Sequence, residues 1–240
     1  MNRVLVLGAT SAIAQQVARA YAGRGAALFL VARNEQRLSA VADDLRVRGA
    51  QVETAVADLD DPAGFDELLA RAAPLQVVLL AHGVLGDTRE TAGRAEAAEA
   101  VLRTNLLRPV QLLTRAAKML EAQRSGCIVA LASVAGDRGR ASNAVYGASK
   151  AGLAAFLSGL RNRLSGSGVR VITVKPGLVD TPMTADLPKN PLYASPERVA
   201  RDVVRAVEGG PDVIYTPWWW RWAMLAVRLI PEPLFKRLSL

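Results

Sequence analysis

Short apolar runs alternate along this chain with longer Ala/Arg/Glu-rich stretches. The runs Val4–Leu7, Leu28–Val31, Gln51–Val56, Val77–Leu80, Cys127–Ala132, Val169–Val174 and Val213–Tyr215 read as strands. The stretches Ala12–Arg24, Glu35–Arg48, Ala63–Ala72, Glu96–Ala122, Tyr146–Leu164 and Pro196–Val207 read as helices. Strands that are apolar at successive positions are covered on both faces. Seven such strands in alternation with six helices predict an α/β fold: a doubly wound, parallel seven-stranded sheet with helices on both faces. No Pro/Gly/Ser linker, internal repeat or low-complexity tract divides residues 1–216, which read as one domain. Residues 217–240 differ in composition and read as a Trp-rich basic tail.

Composition narrows the picture. With 51% apolar and 22% charged residues among 240, the chain is neither a disordered tail nor a fibre, and it is long enough to bury a substantial core. One cysteine excludes an internal disulfide and a multi-cysteine metal site. One histidine argues against a His-rich zinc site, no dense acidic cluster suggests magnesium, and no metal is expected. Thirty basic residues against 22 acidic ones leave a net charge of +8, which fits nucleic acid, a membrane surface or a phosphorylated ligand without choosing among them. The apolar run within Met1–Ala9 is shorter than a signal-peptide core, and no stretch approaches the ~20 apolar residues that span a bilayer. A cytoplasmic protein is the expectation.

The first strand runs into Gly8-Ala9-Thr10-Ser11-Ala12-Ile13-Ala14 and then a helix. Backbone amides of such a turn, with the positive end of the helix, can receive a pyrophosphate. Of the usual three glycines only the first is present; Ala12 and Ala14 hold the other positions, and alanine allows close approach if its φ is negative. The second strand ends in Ala32-Arg33, where an acid would favour the ribose 2′-OH of NAD. An arginine there suits the 2′-phosphate of NADP, or else is a solvated surface residue. The third strand ends in Ala57-Asp58-Leu59, which places a carboxylate where an adenine could lie, with a helix cap as the alternative.

The strand Cys127–Ala132 delivers Ser133 at its carboxyl end, the edge where open α/β sheets bind ligands. Thirteen residues later comes Tyr146, and Lys150 lies four beyond it on the same helix face. A nearby ammonium favours phenolate and is expected to pull the tyrosine down from its ordinary value of about 10. The tyrosine then becomes a usable general acid or base, and the serine hydroxyl can hold a reacting carbonyl oxygen. No Gly-x-Ser-x-Gly elbow supports a serine hydrolase. Cys127, within a strand, reads as a small buried hydrophobe.

On Ser133, Tyr146-Gly147-Ala148-Ser149-Lys150 and the nucleotide turn, residues 1 to 216 resemble the short-chain dehydrogenase/reductase family. The resemblance implies a Rossmann-like sheet and Ser133, Tyr146 and Lys150 as catalytic triad. It implies Asn105, within Arg103-Thr104-Asn105-Leu106-Leu107, as the helix asparagine of a proton relay to the lysine. Gly8, Thr10, Ser11, Ala12, Ile13, Arg33, Asp58 and Leu59 would hold the adenosine and pyrophosphate. Pro176, Gly177, Val179 and Thr181, with Tyr146 and Lys150, would hold the nicotinamide half. The family's Asn-Asn-Ala-Gly segment reads Leu80-Ala81-His82-Gly83, keeping only the glycine. Ala81, His82 and Gly83 would lie beside the nicotinamide ribose, with His82 a filler rather than a catalyst. The implied cofactor is NADP(H), with NAD(H) as the second choice.

Substrate choice falls to Asp180–Ala194, whose composition names no substrate. All four tryptophans lie in Pro217-Trp218-Trp219-Trp220-Arg221-Trp222, and Arg228, Lys236 and Arg237 follow. Tryptophan and basic residues favour a membrane interface, and a helix in an oligomer contact is the alternative. Leu85-Gly86-Asp87, Ser133–Phe156 and Ile230–Leu240 also resemble one branch of the family, the reductases of decaprenylphosphoryl 2-keto-erythro-pentose. That resemblance implies reduction of a polyprenylphosphoryl keto-pentose in arabinose-donor synthesis. It further implies a homo-oligomer, a flavin oxidase upstream, an anionic membrane surface at the inner face of the cell membrane, and no nucleic acid. The competing expectations are a soluble reductase of another ketone, such as a 3-oxoacyl thioester, and a non-catalytic nucleotide sensor.

Overall fold

The computed structural model describes residues 3–238. Seven strands form a single parallel sheet: β1 (Arg3–Leu7), β2 (Ala27–Ala32), β3 (Gln51–Val56), β4 (Val77–Leu80), β5 (Gly126–Leu131), β6 (Val169–Pro176) and β7 (Val213–Thr216). Their spatial order is β3-β2-β1-β4-β5-β6-β7. The register is continuous, Leu7 pairing with Val31 on one side and Leu80 on the other. Chain direction across the sheet reverses between β1 and β4, so their carboxyl ends open a crevice rather than a covered surface.

Both faces of the sheet are dry. Val4 and Val6 point into one layer with α1 (Ala12–Ala22), α2 (Glu35–Val47) and α8 (Pro196–Val207). Leu5 and Leu7 point into the other, built from α3 (Phe65–Ala72), α6 (Arg108–Gln123) and α7 (Ala144–Leu164). This burial on both sides is why the central strands carry no polar alternation. Cys127 is buried in β5 as a small apolar residue.

The single long helix expected over Glu96–Ala122 is not continuous. A short helix α4 (Thr88–Gly93), which the pattern did not predict, precedes α5 (Ala95–Leu102). Asp87 caps α4, accepting from the Arg89 and Glu90 amides. Between α5 and α6 lies a π-helical turn at Arg103–Leu107. Pro109 has no amide to give the Asn105 carbonyl, so the regular ladder fails at that turn. The widened turn points Asn105 inward, where it is only 1% exposed.

The residues after β7 fold back on the body. Helix α9 (Trp220–Leu229) buries Met224, and α10 (Glu232–Phe235) buries Phe235. Arg138, in the loop after β5, donates to the Val227, Arg228 and Ile230 carbonyls and pairs with Glu232. Its guanidinium also lies 3.7 Å from the Phe235 ring centroid. No described helix is long and apolar enough to cross a membrane.

Candidate active site

A cleft of about 420 Å³ opens at the carboxyl ends of the strands. Its floor begins at Gly8, whose φ of +84° turns the chain sharply out of β1. A Cβ there would sit 2.6 Å from the His82 amide nitrogen, so both conformation and space demand glycine. The Gly8 and Ala9 amides both donate to the Val31 carbonyl, fixing the turn. Helix α1 starts at once, and the Ser11 side chain leaves its first amides uncapped. Ala12 and Ala14 fall inside this helix, where φ is negative and alanine is unstrained. Ala14 is wholly buried against the core. Thr10, Ser11, Ala12 and Ile13 line the cleft beside this helix end, the arrangement that receives a pyrophosphate.

Next along the cleft, Arg33 lies on the wall with Arg37 from the first turn of α2. Arg37 was not anticipated; the signal was its place three residues after Asn34, which caps α2 by accepting from the Arg37 amide. Asp58 and Leu59 line the same end, with the Asp58 carboxylate accepting from the Asp60 amide in a tight turn. These donors and acceptors fit the adenosine half of a dinucleotide.

At the other end the cleft is lined by Ser133, Tyr146 and Lys150, with Ala81, His82 and Gly83 between the two halves. Pro176, Gly177, Val179 and Thr181 close the far wall. Ser133 comes off the end of β5, its hydroxyl accepting from the Ala135 amide at 3.1 Å. Tyr146 and Lys150 stand one turn apart near the start of α7, the Lys150 ammonium 5.8 Å from the phenol ring centroid. Lys150 donates to the Leu131 carbonyl at 2.9 Å. Asn105 does not line the cleft. Its side chain accepts from the Val84 amide at 2.9 Å and donates to the Val84 carbonyl at 2.7 Å. It also donates to Ser149 Oγ. A Cβ on Gly83 would lie 2.9 Å from Asn105 Oδ1 and 3.4 Å from Lys150 Nζ, so both groups pack directly against Gly83.

The electrostatics differ from the sequence expectation in one respect. Burial raises the Tyr146 phenol above its ordinary range, and the Ser133 hydroxyl pulls it partly back. The lysine was expected to lower it. Instead Lys150 is itself pushed down to about 8 by burial, and its ammonium is aimed at the Leu131 carbonyl. Tyr146 therefore stands protonated at neutral pH, the form a general acid needs.

Sequence reasoning also missed a polar corner under the cleft. Thr104 donates to Asp60 Oδ2 at 2.6 Å, while Asp60 Oδ1 is buried without a partner. Both ring nitrogens of His82 are buried without partners too. Desolvation, then the nearby Lys150 charge, push the imidazole down to about 4, so it is neutral. Among the described residues no group of three or more His, Cys, Asp or Glu could hold a metal ion.

The short chain dehydrogenase profile matches residues 2–192. An uncharacterised oxidoreductase of Mycobacterium tuberculosis is 38% identical, covering 98% of this chain and 96% of its own. A short-chain dehydrogenase from Sphingobium yanoikuyae, solved in complex with NADPH, superposes with a TM-score of 0.83 at 27% identity, covering 99% and 96% of the two chains. A short chain dehydrogenase from Burkholderia cenocepacia shares the fold with a TM-score of 0.85 at 24% identity, covering 100% and 98%. With its parallel sheet, its nucleotide turn and a profile match over most of its length, the chain belongs to the short-chain dehydrogenase family of NAD(P)-dependent oxidoreductases.

Proposed function

We propose that the protein reduces a ketone to an alcohol with NADPH, and that Tyr146 is the proton donor. The observation that carries this reading is that Ser133, Tyr146 and Lys150 line one end of a cleft whose other end is the Gly8 turn, with the Lys150 ammonium 5.8 Å from the phenol ring centroid. A bound nicotinamide supplies the hydride. Ser133 holds the carbonyl oxygen by donating to it, and Tyr146 gives that oxygen its proton. Lys150 stabilises the phenolate left behind. Asn105 positions the Val84 backbone, and with it the Gly83 turn, rather than touching the cleft. Arg33 and Arg37, with no carboxylate at the end of β2, favour the 2′-phosphate of NADPH.

For the substrate we propose a keto-pentose carried on a polyprenyl phosphate. Met183 lines the cleft and exposes apolar surface there, and the net charge of +8 suits a phosphorylated ligand. The test is NADPH oxidation by the purified protein with that substrate beside simple ketones and a 3-oxoacyl thioester. Turnover restricted to the thioester would replace the sugar reading. Tyr146→Phe keeps the ring packing and NADPH binding but loses ~10²–10⁴-fold in turnover. A Tyr146→Phe enzyme of near-normal rate sinks the assignment.

A further inference from the structure

We infer that the outer face of α9 lies flat on an anionic lipid surface. This rests on the surface of the helix and not on the substrate proposed above. The inner face of α9 is committed to the protein: Trp220 lies against Gly177 and Met224 is buried. The opposite face carries Trp222, Leu225 and Leu229 at i, i+3 and i+7, which are 60%, 44% and 72% exposed. Trp218, one turn earlier, is 65% exposed. Bordering this stripe, Arg221 and Arg228 are seven residues apart and both exposed. No acidic residue occurs between Pro217 and Pro231, and Glu232 is held by Arg138. Lys236 and Arg237 follow.

An apolar stripe edged by cations, on a helix anchored from behind, matches the requirements of interfacial binding. Tryptophan sits at headgroup depth, and the basic edge meets lipid phosphate. A second copy of the chain fits less well. A two-fold contact sets a patch against itself, which would bring Arg221 and Arg228 of both copies into one interface with no acid on the helix to compensate. Gly177 also lines the cleft, so the lipid-facing helix stands next to the far wall of the site. Arg138 ties the C-terminal end of that helix to the loop five residues beyond Ser133.

The test uses the full chain with outward-facing substitutions, because truncation would also strip Arg138 and Gly177 of their packing. Sedimentation is run with phosphatidylcholine vesicles containing phosphatidylglycerol, and with phosphatidylcholine alone. The full chain pellets with the anionic vesicles, and part of that binding survives high salt. Trp218→Ser with Trp222→Gln weakens it at least about tenfold and removes the salt-resistant part. Arg221→Gln with Arg228→Gln weakens it roughly twenty-five-fold at low salt and leaves the salt-resistant part. Failure of the full chain to pellet overturns the inference, as does binding unchanged by the tryptophan substitutions. So does a drop in subunit number when those tryptophans are replaced, since the face would then be a subunit contact. NADPH turnover of a soluble ketone, measured on the same samples, reads the reductase assignment separately.

Discussion

At the scale of single residues, the site turns on what burial does to ionisable groups. Lys150, pushed down to about 8, is still largely charged at neutral pH and loses its proton just above it. Reduction is therefore expected to fall as pH rises through about 8, with kcat/KM dropping about tenfold per pH unit beyond it. A profile that stays level well above pH 8 would show that the Lys150 charge is dispensable. Arg33 makes a second prediction. Arg33→Ala should weaken NADPH by roughly ten- to 150-fold while NADH changes little, because a charge-assisted bond to the 2′-phosphate is lost. Equal losses for both cofactors, measured by fluorescence titration, would mean that Arg33 reads something common to the two. The spacing of Tyr146 and Lys150 was legible because four residues make one helical turn. The sign of the tyrosine shift was not, because spacing says nothing of how much water the fold removes.

Elements carry the next layer. The π-helical turn at Arg103–Leu107 was read as plain helix, since apolar periodicity survives one widened turn. Pro109 was the available clue, and its consequence is the inward Asn105 that grips Val84. Contact between the C-terminal helix and the site had no sequence signal at all. Trp220 packs so closely on Gly177 that a Cβ there would stand 1.8 Å from Trp220 Nε1. Gly177→Ala should then force α9 outward or tilt the indole, costing ~1–3 kcal/mol as overpacking does. Adding Trp220→Leu should recover part of that loss in urea denaturation. A Gly177→Ala protein of unchanged stability would show that the contact yields freely.

For the whole molecule, acid stability has one conspicuous source. His82 is neutral, with both ring nitrogens buried, at about 4 in the folded chain against 6.5 in the open one. Between those values the unfolded chain binds a proton that the folded one does not, so stability is lost as pH falls from about 6.5 toward 4. The loss from this one group reaches about 3 kcal/mol. As the chain has one histidine, its ring resonances titrate alone and give the folded value directly. His82→Asn should flatten the acid limb of the denaturation midpoint. An unaltered limb would place the sensitivity elsewhere.

The number of strands and their parallel pairing in one sheet followed from the sequence itself, because strands buried on both faces leave an unbroken apolar signature and their connections leave a helical one. The glycine turn and the Ser133, Tyr146 and Lys150 set were legible for a related reason: each lies at a strand end or on one helix turn, where local geometry fixes position. Only the tertiary structure brought those pieces into one cleft, since that depends on the reversal of strand order between β1 and β4. It alone set the protonation of Tyr146, Lys150 and His82, because desolvation is a property of everything packed around a group. It alone divided the tryptophans into those held against the body and those turned to solvent, since composition counts residues while packing gives each a side.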